Sequence, residues 1–344
     1  MSPEFLQQEP AVEQRTAQDP ALSDPLVHAQ TNDMPTLAFK FGGTSLLGAD
    51  RMLKAAALVR DAAKTARVIV VVSAMKGITD RLLEIAHSAS ARTEAESIVG
   101  LHHKVLKALS LPAEIHSRVN TELSFLGRDL IHEAVKTPDT ATAAAANPEL
   151  LDRLASFGER FSARLFATSL EKIGVAAVPV SSSDFIVTCG TFRDAQPHLA
   201  QCQQKGREVL LPLLHAGIVP VVTGFIGATP DGRITTLGRN SSDFSGAITA
   251  HIIDAQELII WTDVDGIYSD NPNESDEAKM LHNLSYDEAH ALAAGGAKVL
   301  HPRVLPLAAE TEMTVWVRNT FKPHLRGTRI GAAFKKSSSL RGSL

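Results

Sequence analysis

Cysteine is scarce: Cys189 and Cys202 are the only two among 344 residues. That excludes a disulfide framework and a cysteine metal site, and makes a reducing, cytoplasmic setting the expectation. No apolar run approaches the roughly 18 residues of a membrane span, so no membrane partner is expected. The N-terminus lacks a basic region followed by an apolar core, so no secretory signal is expected. Positive charge is not in excess: 34 Lys and Arg stand against 38 Asp and Glu, a formal net charge of −4. The basic footprint of a nucleic-acid binder is therefore missing. Also missing are an internal repeat, a long linker and the GxxxxGK[ST] order of a Walker A loop. What is present is an ordinary globular composition, 44% hydrophobic and 21% charged, on a chain long enough for a large core.

Residues 1–34 are polar and proline-punctuated, with Arg15 alone against Glu4, Glu9, Glu13, Asp19, Asp24 and Asp33. Such a segment buries too little apolar surface to offset its ordering entropy and reads as a mobile acidic tail. Residues 334–344, rich in Ser and Lys, read as a second tail. Between them, residues 35–333 alternate strand and helix patterns. Residues 68–72 are an unbroken β-branched run, as in a strand buried on both faces. Residues 218–223, 258–262 and 314–317 are further strands. Leu154, Phe157, Phe161 and Leu165 mark one stripe of a helix that Gly174 ends. Residues 51–64, 198–215 and 243–253 also read as helical, and 137–147 as a loop. Residues 85–135 have a helical pattern with a polar outer face, which predicts His87, His102, His103, His116 and His132 on the solvent side. His102 and His103, as sequence neighbours, point to different sides and make no metal site. Pro230-Asp231-Gly232-Arg233 is a hairpin turn signal. The alternation predicts one α/β domain, a three-layer αβα sandwich with a largely parallel central sheet.

One stretch carries chemistry on its face. Residues 37–46, LAFKFGGTSL, read as a strand end, a glycine turn and a helix start that Thr44 or Ser45 could cap. Free N–H groups and a positive dipole end suit phosphate there, and Lys40 adds a full charge. A plain strand-to-helix turn with a surface lysine fits the glycine pair equally.

Residues 40–45, KFGGTS, resemble the opening signature of aspartate kinases, within the wider amino acid kinase fold. Residues 157–162 (FGERFS), 236–243 (TLGRNSSD), 261–268 (WTDVDGIY) and 296–302 (GAKVLHP) resemble the same family, in its order. The resemblance implies transfer of the ATP γ-phosphoryl group to the side-chain carboxylate of L-aspartate. It implies Lys40 and Lys298 flanking the transferring group, with Asp243 orienting their ammonium groups. Gly42, Gly43 and Ser45 would cradle the β- and γ-phosphates, while Thr262, Asp263 and Tyr268 would hold the nucleoside. Arg239 would take the α-carboxylate and Glu159 the α-amino group, with Ser73, Thr79 and Ser242 as further acceptor contacts. Mg²⁺ would arrive with ATP, with no dedicated metal site. Each residue also has a plainer reading: a surface N-cap for Asp243, a surface ion pair for Arg239, a structural pair with Arg160 or Arg164 for Glu159, and core packing for Tyr268.

The sequence departs from the family pattern at three positions: Ser241 where glycine is common, Asp80 where asparagine is usual, and Asn273 where arginine is typical. The expectations are a backbone restricted at Ser241, extra negative charge near the acceptor, and a lost phosphate contact. The family's paired regulatory ACT domains are not expected within this sequence, so lysine and threonine should not inhibit it. A homodimer or a separate or fused regulatory domain is the expected partner. A related amino acid kinase with another carboxylate acceptor, and a non-catalytic ATP- or amino-acid-binding subunit, are the alternatives.

Overall fold

The computed structural model describes residues 34–136, 147–270, 277–294 and 300–332. Lys298, Asn273, residues 137–146 of the expected loop, residues 1–33 of the expected N-terminal tail and the expected C-terminal tail lie outside the described residues. In chain order the elements are β1 (Thr36–Phe41), α1 (Ala49–Ala62), β2 (Arg67–Val72), α2 (Ile78–Ile85), α3 (Ala91–Ala108), α4 (Ala113–Val135) and α5 (Pro148–Lys172). There follow β3 (Ala177–Val180), α6 (Leu199–His215), β4 (Val219–Thr223), β5 (Ile226–Ala228), β6 (Ile234–Thr236), α7 (Ser242–Ile252) and β7 (Glu257–Thr262). The described chain ends with β8 (Ile267–Tyr268), β9 (Met280–Leu281), β10 (Asn283–Ser285), α8 (Tyr286–Ala294), α9 (Val304–Glu310), β11 (Thr314–Asn319) and β12 (Thr328–Gly331).

Eight strands form one sheet in the order β10-β12-β11-β7-β1-β2-β4-β3. Every pairing is parallel except β11 with β12. The strand period of two sorts side chains between two cores. Phe39, Phe41, Val68, Val70, Val72, Val221 and Trp261 join α1 to α5 on one face. Ala38, Ile69, Val71, Val222, Leu258 and Ile260 join α6, α7 and α9 on the other. The sheet is thus covered on both sides, which is why 68–72 is apolar at every position. β5 and β6 make the antiparallel hairpin predicted at 230–233.

The long helical pattern after residue 85 resolves into α3 and α4, separated at Leu109–Pro112. His102 is not solvent-facing, contrary to expectation. It is fully buried and stacks on Phe161 of α5 at 4.3 Å between ring centroids. Its Nδ1 donates to the Ile98 carbonyl at 2.7 Å, while Nε2 has no hydrogen-bond partner among the described residues. Helix α3 packs against two neighbours, so its buried arc is wider than a one-sided amphipathic pattern suggests. Burial pushes the imidazole pKa down from 6.5 to about 4. The unfolded chain therefore takes up a proton that the folded chain refuses, and stability is lost as pH falls from about 6.5 towards 4. The shift corresponds to about 3 kcal/mol. We expect urea titrations of the His102→Leu variant to show less loss of stability across this interval than the parent.

Candidate active site

Lys40 lies in β1 on the face that α7 covers, because Ala38 and Lys40 alternate with Phe39 and Phe41. Its stem packs against α7 where Gly246 leaves room: a Cβ there would stand 3.3 Å from Lys40 Cβ. The ammonium reaches the first turn of α7, 2.7 Å from Asp243 Oδ1. Beyond this ion pair, that oxygen has no hydrogen-bond partner among the described residues. Asp243 is therefore not a surface cap; Ser241 occupies the cap position, and the carboxylate holds Lys40 at the carboxyl end of the sheet.

After Phe41 the chain makes a single 3₁₀ turn, Gly43–Leu46, before α1 begins at Ala49. Neither Thr44 nor Ser45 caps a helix: Gly42 and Gly48 hold the two cap positions without side-chain bonds. The Ser45 hydroxyl is fully buried against Thr320 Oγ1 at 2.7 Å, and its N–H goes to the Gly42 carbonyl. The expected phosphate cradle is thereby corrected. The Gly42 N–H is also used, on the Trp261 carbonyl, so Gly43 and Thr44 carry the N–H groups at the open start of the turn. Gly43 is required by proximity, since a Cβ would meet the Ala74 carbonyl at 2.5 Å.

A cleft of about 440 Å³ opens beside this turn, lined among others by Gly43, Ser73, Thr79, Asp80, Glu159, Arg239 and Ser242. Glu159, on α5, is only 3% exposed. Gly158 lets α5 approach Ala74, where a Cβ would otherwise stand 2.6 Å from the Ala74 Cβ. Glu159 Oε1 consequently accepts the Ala74 N–H at 3.0 Å, and Oε2 has no hydrogen-bond partner among the described residues. Burial pushes this carboxyl up to about 8, against the opposing pull of the Ala74 N–H and the Lys40 charge. Arg160 lies over the Phe157 ring and Arg164 donates to the Arg160 carbonyl. The Ser73 hydroxyl donates to Ser242 Oγ at 2.6 Å, tying the end of β2 to the start of α7. Thr79 sits in the first turn of α2 rather than on the preceding loop.

Arg239 lies on the turn before α7, mostly exposed, and its Nη2 donates to Asp80 Oδ1 at 3.2 Å. Ser241 does not strain the backbone as expected: its φ is −80°, and Asn240 takes the left-handed conformation at φ 61°. Thr262 and Asp263 stand at the carboxyl end of β7, on the opposite side of β1 from the cleft. Tyr268 pairs with Met280 in the small β8–β9 ribbon, and these three do not line the cleft.

Phe225 and Arg193 are among the cleft residues that escaped the sequence reading. Phe225, buried between Gly224 and Ile226, holds a φ of 68° with its N–H on Ser245 Oγ. Arg193 also lines the cleft, with a φ of 72°. Its N–H is fixed by the fully buried Asp152, which also accepts the N–H and hydroxyl of Thr236. The flanking glycines at 224 and 227 were the signal available for Phe225; nothing local marked Arg193 or Asp152.

A charged cleft at the carboxyl ends of a parallel sheet, with a cation on the central strand, defines an α/β protein built to bind a small ionic ligand. Residues 35–319 match the model of the Amino acid kinase family. The chain belongs to that family.

Relatives include the lysine-sensitive aspartokinase 3 of Escherichia coli (strain K12), 34% identical over 294 residues, covering 85% of this chain and 63% of that protein. The chloroplastic aspartokinase 1 of Arabidopsis thaliana is 31% identical over 318 residues, covering 90% of this chain and 54% of the relative. The crystal structure of E. coli aspartokinase III with aspartate and ADP superposes with a TM-score of 0.78 at 33% identity, covering 88% of this chain and 65% of that one. The chain thus spans less than two thirds of the length of these relatives. Among the described residues, no helix is long and apolar enough to cross a membrane.

Proposed function

We propose that this chain carries the catalytic domain of an aspartate kinase, which transfers the ATP γ-phosphoryl group to the β-carboxylate of L-aspartate. The observation that carries the reading is Glu159: a buried carboxylate facing the cleft with one oxygen unpartnered. A free ammonium group would satisfy it, whereas an acetylated amine would leave it unpaired. With Arg239 for a carboxylate, the cleft has complementary groups for both ends of an amino acid. The likeness to an aspartokinase solved with aspartate and ADP supports the same acceptor.

The chemistry asks for charge control rather than a base. The acceptor carboxylate, with a pKa near ~4, is already a nucleophile at neutral pH. One of its oxygens attacks the γ-phosphorus, the bond to the ADP oxygen breaks, and an acyl phosphate and ADP result. Lys40, oriented by Asp243, neutralises the charge that accumulates as two anions meet, and Lys298 is assigned the same duty from the opposite end. The N–H groups of Gly43 and Thr44 face phosphate oxygens, with Ser73, Thr79 and Ser242 on the acceptor. Thr262, Asp263 and Tyr268 are assigned to the nucleoside. The described residues contain no group of three or more His, Cys, Asp or Glu side chains set to hold a metal ion. Mg²⁺ would arrive with ATP, held chiefly through the nucleotide phosphates.

The test is ADP release from Mg-ATP with L-aspartate, L-glutamate and N-acetyl-L-glutamate side by side, with hydroxylamine trapping the acyl phosphate. Turnover selective for L-aspartate is expected. Turnover confined to the acetylated acceptor would overturn the assignment of Glu159 and the function with it. In the same assay, Arg239→Ala should raise the aspartate KM by about tenfold or more, with a smaller effect on kcat. A rise in the ATP KM instead would move Arg239 to the nucleotide.

A further inference from the structure

Arg239 already holds a carboxylate. Its guanidinium bonds Asp80 across the wall of the cleft, linking the turn before α7 to the first turn of α2, 159 residues away in sequence. Both residues line the cleft, and both are largely exposed, at 78% for Arg239 and 68% for Asp80. The pair is therefore weak and opens without disturbing the core. Asp80 lies in the first turn of α2, where the helix dipole favours its negative charge.

We propose that Asp80 is an affinity-tuning residue, an internal carboxylate that competes with the acceptor for Arg239. The inference rests on the reading of Arg239 as the acceptor-carboxylate site. An incoming carboxylate exchanges one charge-assisted hydrogen bond for another, so it gains less from Arg239 than it would from a free guanidinium. The pair is also locally neutral and gives an anion no long-range attraction. A ligand gains further by satisfying a second group at the same time, and the unpartnered Glu159 Oε2 is that group. Asp80 thus lowers what any carboxylate gains from Arg239, amino acid or diacid alike, and selection for the ammonium falls to Glu159.

The experiment is a double-mutant cycle of Asp80→Asn and Arg239→Ala. Aspartate kinetics are measured at low and high potassium chloride, and binding of succinate, which has both carboxylates but no amine, is followed by calorimetry. Asp80→Asn should lower the aspartate KM about two- to fivefold, on KM rather than kcat. It should make that KM rise with salt more steeply than in the parent, because Arg239 is then an uncompensated charge. Succinate should bind Asp80→Asn more tightly by a similar factor. In the Arg239→Ala background, Asp80→Asn should bring no gain in either assay. An equal gain with Arg239 absent would mean simple repulsion and overturn the proposal, as would unchanged KM and succinate affinity in Asp80→Asn. Failure of the parent to turn over L-aspartate would count against the kinase reading instead. The succinate arm reads the competition without turnover.

Discussion

Lys40→Ala should turn over about 10²- to 10³-fold more slowly than the parent, with aspartate affinity changed only a few-fold. The size follows from what one preorganised cationic or N–H group contributes when charge develops in a dry site. Lys40 stands on the central strand, between the cleft on the β2 side and the β7 end assigned to the nucleoside, so its charge matters most while the phosphoryl group is between the two. Binding of aspartate alone leans on Glu159 and Arg239 and should largely survive. The substitution also leaves the Asp243 carboxylate without its ammonium, and both side chains are largely buried. Thermal melting must accompany the kinetics, because an unpaired carboxylate is costly. A folded Lys40→Ala enzyme with parental kcat would remove Lys40 from the reaction.

Glu159→Gln should produce the second large effect, in two directions. Aspartate affinity should fall by about 10²-fold, as is common when one partner of a buried charged pair is neutralised. Stability should rise in alkaline solution. In the empty fold the carboxyl is held up to about 8, against 4.5 for the ordinary group. The unfolded chain releases its proton first, so the parent loses stability as pH rises from about 4.5 to 8, by up to about 5 kcal/mol. Glutamine does not titrate and escapes that loss. The same shift means that aspartate meets a protonated Glu159 at neutral pH and must expel the proton. Aspartate should therefore bind more tightly as pH rises towards 8, with proton release visible by calorimetry in buffers of different ionisation enthalpy. Pairing of Glu159 with a group other than the ammonium would show as affinity flat across this range.

Much of this was legible along the chain. The apolar run at 68–72, the stripe from Leu154 to Leu165 and the turn at 230–233 each encode local geometry, and the strand–helix alternation gave the layered parallel sheet. The glycine turn and the charged residues at 40, 159, 239 and 243 were recognisable because they fall in short motifs. What failed depended on partners distant in sequence. Ser45 reads as a helix cap until Thr320 takes its hydroxyl. His102 reads as a surface histidine until Phe161 covers its ring. Asp80 reads as excess charge beside the acceptor until Arg239 pairs with it. Asp152 gave no local sign of holding the backbone of Arg193 and Thr236.

The position of β1 at the centre of the sheet has a consequence for synthesis. One neighbour, β2, emerges almost at once, but β7 begins beside Gln256, which lies 220 residues after Thr36 and accepts its N–H. At ribosomal rates of about 5–20 residues per second, that delay amounts to roughly ten to forty seconds. Throughout it, one edge of the strand bearing Lys40 has no sheet partner, a hazard for a nascent chain. Asp243 and the floor of the cleft arrive at the end of the same interval. Pairing of Lys40 with its carboxylate therefore waits for about 200 residues of chain, and activity reports this long-range closure as well as chemistry.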